Sequence, residues 1–150
     1  FGVFYPLQTF SFNKKIDFTK TPILIEGNSQ KNLEKLKELC RILEVEFEEV
    51  DSKKRLHYHL AASFANNFTN HILSLTDELV NKFKLEKKFF IPIANETFKK
   101  FQSNKSKESQ TGPAVRNDVK TLKKHEEILK KSNYLNLYKI ITKSIKKNDL

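Results

Sequence analysis

Apolar positions along this chain follow two different rhythms, and the change falls near residue 50. "FGVFYP" (1–6) and "TPILIEGN" (21–28) are short runs rich in Val, Ile and Phe, each closed by Pro or Gly, which is the signature of buried strands. "SQKNLEKLKELCRILE" places Leu33, Leu36, Leu39, Cys40 and Leu43 at three- and four-residue steps, with Lys and Glu between them. That spacing predicts an amphipathic helix, with Ser29 or Asn28 able to cap its start. "EVEFEEV" then alternates strictly and predicts a third strand. Strand, loop, strand, helix, strand describes part of an α/β layer over residues 1–50.

From Asp51 the rhythm becomes helical, and no Gly or Pro interrupts residues 51–83. On a wheel of about 100° per residue, Leu60, Phe64, Phe68, Leu75 and Leu79 form one broad apolar arc, expected to pack. Arg55, His59, Ala62, Asn66 and Asn70 are spaced four, three, four and four apart and line a polar arc roughly opposite. His57 and His71 fall near the apolar arc. Two further helices are predicted. "KKFFIPIANETFKKFQSN" would turn Phe90, Ala94, Thr97, Phe98 and Phe101 inward, and "NYLNLYKIITKSIKK" would bury Tyr134, Leu137, Tyr138, Ile141 and Ile145. Between them, "QSNKSKES" is expected as an exposed loop. Gly112–Pro113 starts a turn or a helix, with Pro suited to the first helical position, and Asn117 or Asp118 can cap the helix after it.

Charge sharpens the division. Residues 1–50 carry 7 Lys/Arg and 8 Asp/Glu, whereas residues 51–150 carry 21 and 10, so the net charge of +10 belongs to the second segment. A nucleic-acid partner is the obvious thought. Only Arg41, Arg55 and Arg116 are arginines, however, and the scattered lysines suit a solvated surface better than bidentate base or phosphate contacts. No apolar run reaches the ~18 residues of a spanning helix, so no membrane partner is expected and a cytoplasmic setting is. Cys40 has no cysteine to pair with, which agrees with a reducing compartment. Met is absent and Phe1 opens directly on an apolar run, so the chain is expected to be a piece of something longer.

Stand-alone chemistry is sparse. No GxGxxG or GxxxxGK[ST] exists to wrap a pyrophosphate, and no HExxH, CxxC or His pair four apart exists to hold a metal. Ser63 near His59 lacks a carboxylate placed to complete a triad, and a helix-packing role suits it better. Cys40 sits on an apolar helix face with nothing to lower its pKa, and His125, on a basic helix, is expected at a surface or interface.

The order "GVFYPLQTFS", "PILIEG", "KRLHYHLAASFANNFTNHI", "IPIANETFKK", "QTGPAVRNDVKTLKKHEEIL", "YLNLYKIITKSI" resembles a bacterial family of Rossmann-like NAD(P)-dependent oxidoreductases with a C-terminal helical domain of unknown function. "PLQTF", "HLAA" and "TGPxxRxD" are its most specific pieces, and the resemblance covers essentially the whole chain. The family is similar in architecture to pyrroline-5-carboxylate reductases, prephenate dehydrogenases and 6-phosphogluconate dehydrogenases. The resemblance implies an α+β chain. Residues 1–50 would be the C-terminal edge of a Rossmann α/β sheet, and residues 51–150 an all-α bundle like the C-terminal domain of 6-phosphogluconate dehydrogenase, serving substrate binding and dimerisation. The cofactor would be NADP or NAD, with the fingerprint glycines upstream, and the partners a second copy and a small-molecule substrate. Many members read His where this chain has Tyr5, before Pro6-Leu7-Gln8-Thr9-Phe10.

Within that frame Tyr5, Pro6, Gln8 and Thr9 are the expected cofactor contacts, and Tyr5 can donate a hydrogen bond in place of the family's His. In the architectures resembled, the first long helix walls the cleft where nicotinamide meets substrate, which makes His59 and Asn66 the catalytic candidates, with Arg55 and Asn70 beside them. Hydride transfer to a carbonyl or imine needs a donor at the developing charge, which His59 or Asn66 can supply. Equally, both can simply satisfy backbone or another helix. Arg116 with Thr111, in "TGPAVRND", can clamp a carboxylate or phosphate, or Arg116 can pair with Asp118 and fix the loop. A basic helical module that binds nucleic acid or protein without catalysis is the competing reading.

Overall fold

A computed structural model describes residues 1–10, 15–103 and 106–147. The chain is α+β, with a three-stranded sheet and a larger helical content. Its elements are β1 (Gly2–Pro6), a 3-10 turn (Phe18–Lys20), β2 (Ile23–Gly27), α1 (Gln30–Ile42), β3 (Phe47–Glu49), α2 (Ser52–Ala62), a π-helical segment (Ser63–Phe68), α3 (Thr69–Lys82), a second 3-10 turn (Lys87–Phe89), α4 (Ile91–Gln102), α5 (Val119–Leu129) and α6 (Leu135–Lys147). It divides into two compact units, Phe1–Leu85 and Glu86–Leu150. No helix among the described residues is long and apolar enough to cross a membrane.

In the first unit β2 is central, antiparallel to β1 and parallel to β3. Alternation along β2 gives the sheet two chemically different faces. Ile23 and Ile25 point to one face and form a core with Leu33, Cys40 and Val45, against which Phe4 and Leu36 pack. Each such side chain contributes about 1.5–3 kcal/mol by leaving water. The Ser29 side chain caps α1 by accepting the Asn32 N–H at 3.3 Å, as its sequence position predicts. The end of α1 is closed by Glu44, at φ 53°, with Val45 N–H donating to Cys40 carbonyl at 3.1 Å and Glu44 N–H to Arg41 carbonyl at 3.1 Å. This paired arrangement satisfies carbonyls the helix leaves open, using Glu where Gly is usual. Leu39 and Leu43, expected on the packed face, are exposed. The buried stripe of α1 is therefore narrower than its apolar spacing suggests.

The helix expected over 51–83 forms, with Asp51 accepting the Lys54 N–H at 2.6 Å as its cap, but six residues in its middle adopt π geometry. The Thr69 hydroxyl donates to the Phe64 carbonyl at 3.0 Å, five residues back, which suits the wider turn. Lys84, at φ 53°, closes α3 in the same paired manner as Glu44 closes α1. The expected packing of the apolar arc needs correction: Leu60, Phe64 and Phe68 are exposed, and only Leu75 and Leu79 are half-buried.

The second unit holds α4, α5 and α6. Leu122 and Leu129 of α5 are buried with Ala114. Tyr138, Leu137 and Ile145 of α6 are half-buried as the spacing predicts. α4 departs from expectation, since Phe90, Thr97, Phe98 and Phe101 are exposed and only Ala94 is half-buried. Pro113 lies in a turn, with Gly112 before it at φ 105°, and α5 begins later at Val119. Part of the expected "QSNKSKES" loop, Asn104 and Lys105, lies outside the described residues.

Candidate active site

The second face of the sheet is polar where the first is apolar. Tyr5 of β1 pairs in register with Leu24 of β2, which pairs with Glu48 of β3, so these three share a face, and Glu26, opposite Val3, shares it one row further on. α2 lies over that face and meets it with polar side chains. Arg55 forms an ion pair with Glu26, and the Ser52 hydroxyl donates to the other oxygen of the same carboxylate at 2.8 Å. Lys54 pairs with Glu48, whose second oxygen accepts the Tyr58 hydroxyl. One turn beyond Arg55, His59 Nδ1 lies 2.9 Å from the Tyr5 hydroxyl, the rings meeting edge to face. Each of the three strands thus gives one side chain to α2.

The electrostatics follow from these partners. The Arg55 guanidinium, and then the Ser52 hydroxyl, hold the Glu26 carboxyl below its ordinary pKa. Lys54 and Tyr58 do the same for Glu48, which in turn pushes the Lys54 ammonium and the Tyr58 phenol upward. Elsewhere, burial alone raises the Cys40 thiol, in keeping with a core residue rather than a nucleophile.

Of the residues singled out from sequence, Tyr5 and His59 are brought together although 54 positions separate them. Arg55 is committed to Glu26 on the same side of α2. Pro6 ends β1; beyond it Leu7 N–H donates to the Pro22 carbonyl at 2.8 Å, and the Gln8 side chain accepts the Thr9 N–H at 2.8 Å, leaving both Gln8 and Thr9 exposed. Asn66 lies in the π segment and Asn70 in the first turn of α3, both exposed. Ser63 donates to the His59 carbonyl at 3.0 Å and so serves the helix itself. In the second unit Thr111 and Arg116 are exposed, and the expected Arg116–Asp118 pair does not form. Asp118 instead caps α5, accepting the Thr121 N–H at 3.0 Å and the Thr121 hydroxyl at 2.7 Å, and Arg116 acts on it only through its charge. His125 also departs from expectation: its Nδ1 lies 2.9 Å from the Tyr138 hydroxyl, joining α5 to α6.

Glu26, Glu48 and Tyr58 escaped the sequence reading. The available signal was Glu26 itself, an acid within the apolar run "ILIEG", since a charge on a covered sheet face requires a partner.

The fold and the polar sheet–helix seam define an α+β oxidoreductase-like chain. Residues 21–145 match the family described as a domain of unknown function, DUF2520, and the chain belongs to that family. It is similar to the crystal structure of "putative NADP oxidoreductase BF3122" from Bacteroides fragilis, with a TM-score of 0.89 and 37% identity over 97% of this chain and 57% of that one. It also shares the fold of protein TM1727 from Thermotoga maritima, with a TM-score of 0.74 and 23% identity over 97% of this chain and 60% of that one. The chain therefore spans somewhat more than half the length of these solved structures. No curated protein matches it.

Proposed function

We propose that this chain is the C-terminal portion of an NADP-type oxidoreductase that reduces a carbonyl or imine in a small-molecule substrate, with Tyr5 and His59 as its proton-donating pair. The observation that carries the reading is their 2.9 Å contact between β1 and α2, at the position where relatives resembled by sequence place a His. Support also comes from the 37% identity to a protein named as an NADP oxidoreductase.

The residues present fit the reacting end of a dinucleotide and not its pyrophosphate. A phosphate-binding turn needs glycines that leave room beside a helix N-terminus. At the β2–α1 turn that room is filled: a Cβ on Gly27 would sit 2.7 Å from the Leu33 nitrogen, and Ser29 already caps the helix. The phosphate grip is assigned to the upstream part of the whole protein, and Tyr5, Pro6, Gln8 and Thr9 to the nicotinamide edge. The reduced nicotinamide supplies the hydride. Tyr5 and His59 supply the proton that converts the developing alkoxide to an alcohol, or the developing amide anion to an amine. Either tautomer leaves one outward proton: the Tyr5 hydroxyl is free when Nδ1–H donates to it, and His59 Nε2–H is free when Tyr5 donates to Nδ1. Asn66 and Asn70 are assigned to the substrate, with Thr111 and with Arg116 for any carboxylate or phosphate it carries, while Arg55 holds α2 in place through Glu26. The working unit is a homodimer formed through the helices.

The whole protein, with its upstream segment, should be stabilised thermally by NADPH, whereas residues 1–150 alone should bind it poorly. With a panel of carbonyl and imine compounds, Tyr5→Phe and His59→Ala should each lower kcat about 10²-fold or more, with little change in NADPH affinity. Absence of any NADPH stabilisation in the whole protein, or full turnover in both variants, defeats this assignment.

A further inference from the structure

α2 meets its own sheet with its polar side and turns its apolar side outward. Ser52, Arg55, Tyr58 and His59 are engaged by β1, β2 and β3, while on the other side Leu56, Leu60 and Phe64 are 65%, 57% and 61% exposed. The stripe runs on through Phe68 and Ile72, at 53% and 39%, and the Phe64 and Phe68 rings meet edge to face with centroids 4.9 Å apart. In an uninterrupted α-helix residues four apart drift by about 40°, so a line from Leu56 to Ile72 would wind nearly half-way round. The wider turns of the π segment rotate less per residue and wind this drift back, keeping the five side chains in one stripe. Their exposed area is about 500 Å², at the upper end of the largest apolar patch on a typical monomer.

We propose that a second copy of this chain covers the stripe, the two 52–82 helices crossing antiparallel about a two-fold axis at the π segment. The proposal takes up the homodimer of the proposed function and rests on it only for the presence of a second subunit. Two such faces bury about 1,000 Å² of apolar surface, which with a polar rim reaches the ~1,200–2,000 Å² of a stable interface. A two-fold interface must also be self-complementary, residue i meeting j while j meets i. The stripe has that property about position 66: Leu60 is mirrored by Ile72 and Phe64 by Phe68. Antiparallel pairing in this register gathers four phenylalanines at the axis and seats an aliphatic residue against an aliphatic one on either side. A partner of different sequence would gain nothing from the mirror arrangement.

Sedimentation equilibrium of the 150-residue chain between about 1 and 100 μM should give twice the 17.6 kDa chain mass. The double variant Phe64→Ser, Phe68→Ser should raise the dimer dissociation constant at least about a hundredfold, with its far-UV circular dichroism retained. As a measurement that leaves the stripe intact, nitroxides on Lys53→Cys should lie about 40 Å apart, since 26 residues of helix rise separate them in this register. Cys40 is fully buried and stays unlabelled. A monomer at 100 μM, a dimer indifferent to the double variant, or labels within about 20 Å of each other, as parallel helices would place them, each overturns the proposal. NADPH enters none of these measurements, so their failure is separate from failure of the oxidoreductase assignment.

Discussion

Gly27→Ala isolates one contact on which the sheet depends. Gly27 ends β2 where the chain turns into α1, and a Cβ there would lie 2.7 Å from the Leu33 nitrogen, 2.9 Å from its Cα and 2.9 Å from its Cβ. Ordinary carbon contacts lie at 3.4–4 Å, so α1 must retreat by more than half an ångström or β2 must bend. The obstacle is helix backbone, which no rotamer change relieves. Overpacking of this kind costs about 1–3 kcal/mol, and the lower chain entropy of unfolded Ala returns about 0.4–1 kcal/mol. A net loss of about 1–2 kcal/mol is expected, which for a chain of this size lowers Tm by roughly 3–8 °C. Gly2→Ala is the internal comparison: its Cβ would meet the Leu36 Cδ1 at 2.8 Å, the movable end of a side chain, although the Glu26 carbonyl is also close at 3.0 Å. Urea unfolding followed by circular dichroism measures both. A Gly27→Ala midpoint at or above that of the parent, with an unchanged m value, would show that the strand–helix approach is looser than these distances say, and the reasoning would fail.

Other measurements test the seam and the caps. Glu26 and Glu48 titrate below their ordinary 4.5 in the folded chain, so their stabilisation is present above that value and is lost as pH falls through the lowered folded values. Glu26→Gln should flatten the acid limb of the stability curve, and an unchanged slope below pH 4.5 would speak against the ion pair. Glu44→Gly and Lys84→Gly remove side chains from left-handed backbone and should each stabilise by about 0.5–1 kcal/mol; a loss of stability in both would contradict the cap geometry. The Cys40 thiol, buried and raised in pKa, should react with a thiol reagent only at the rate of chain opening, and fast labelling of native protein would contradict its place in the core.

Local elements were legible in the sequence because their signals are local. The three strands, the Ser29 cap and the apolar stripe of α1 follow from periodicity and from a residue beside a helix start. Which face of the next helix would be covered was not legible. A wheel shows that Leu60, Phe64 and Phe68 share a side, but the side that docks is chosen by Glu26, Glu48 and Tyr5 on strands up to 54 residues away. Six residues of π geometry also defeat any wheel drawn with a single period. At the candidate site, Tyr5 and His59 were each visible as residue types, whereas their meeting depends on which strand pairs with which.

That dependence has a consequence for how the chain checks its own assembly. Strand pairing is most error-prone in register, and a slip of one residue turns every side chain of a strand to the opposite face. If β1 slipped by one against β2, Phe4 would replace Tyr5 on the polar face and His59 would find a ring without a hydroxyl. A slip in β3 would likewise withdraw Glu48 from Lys54 and Tyr58. α2 thus proofreads the sheet, one strand at each contact, and the hydroxyl–imidazole pair assigned to the chemistry exists only in a sheet that has passed the inspection.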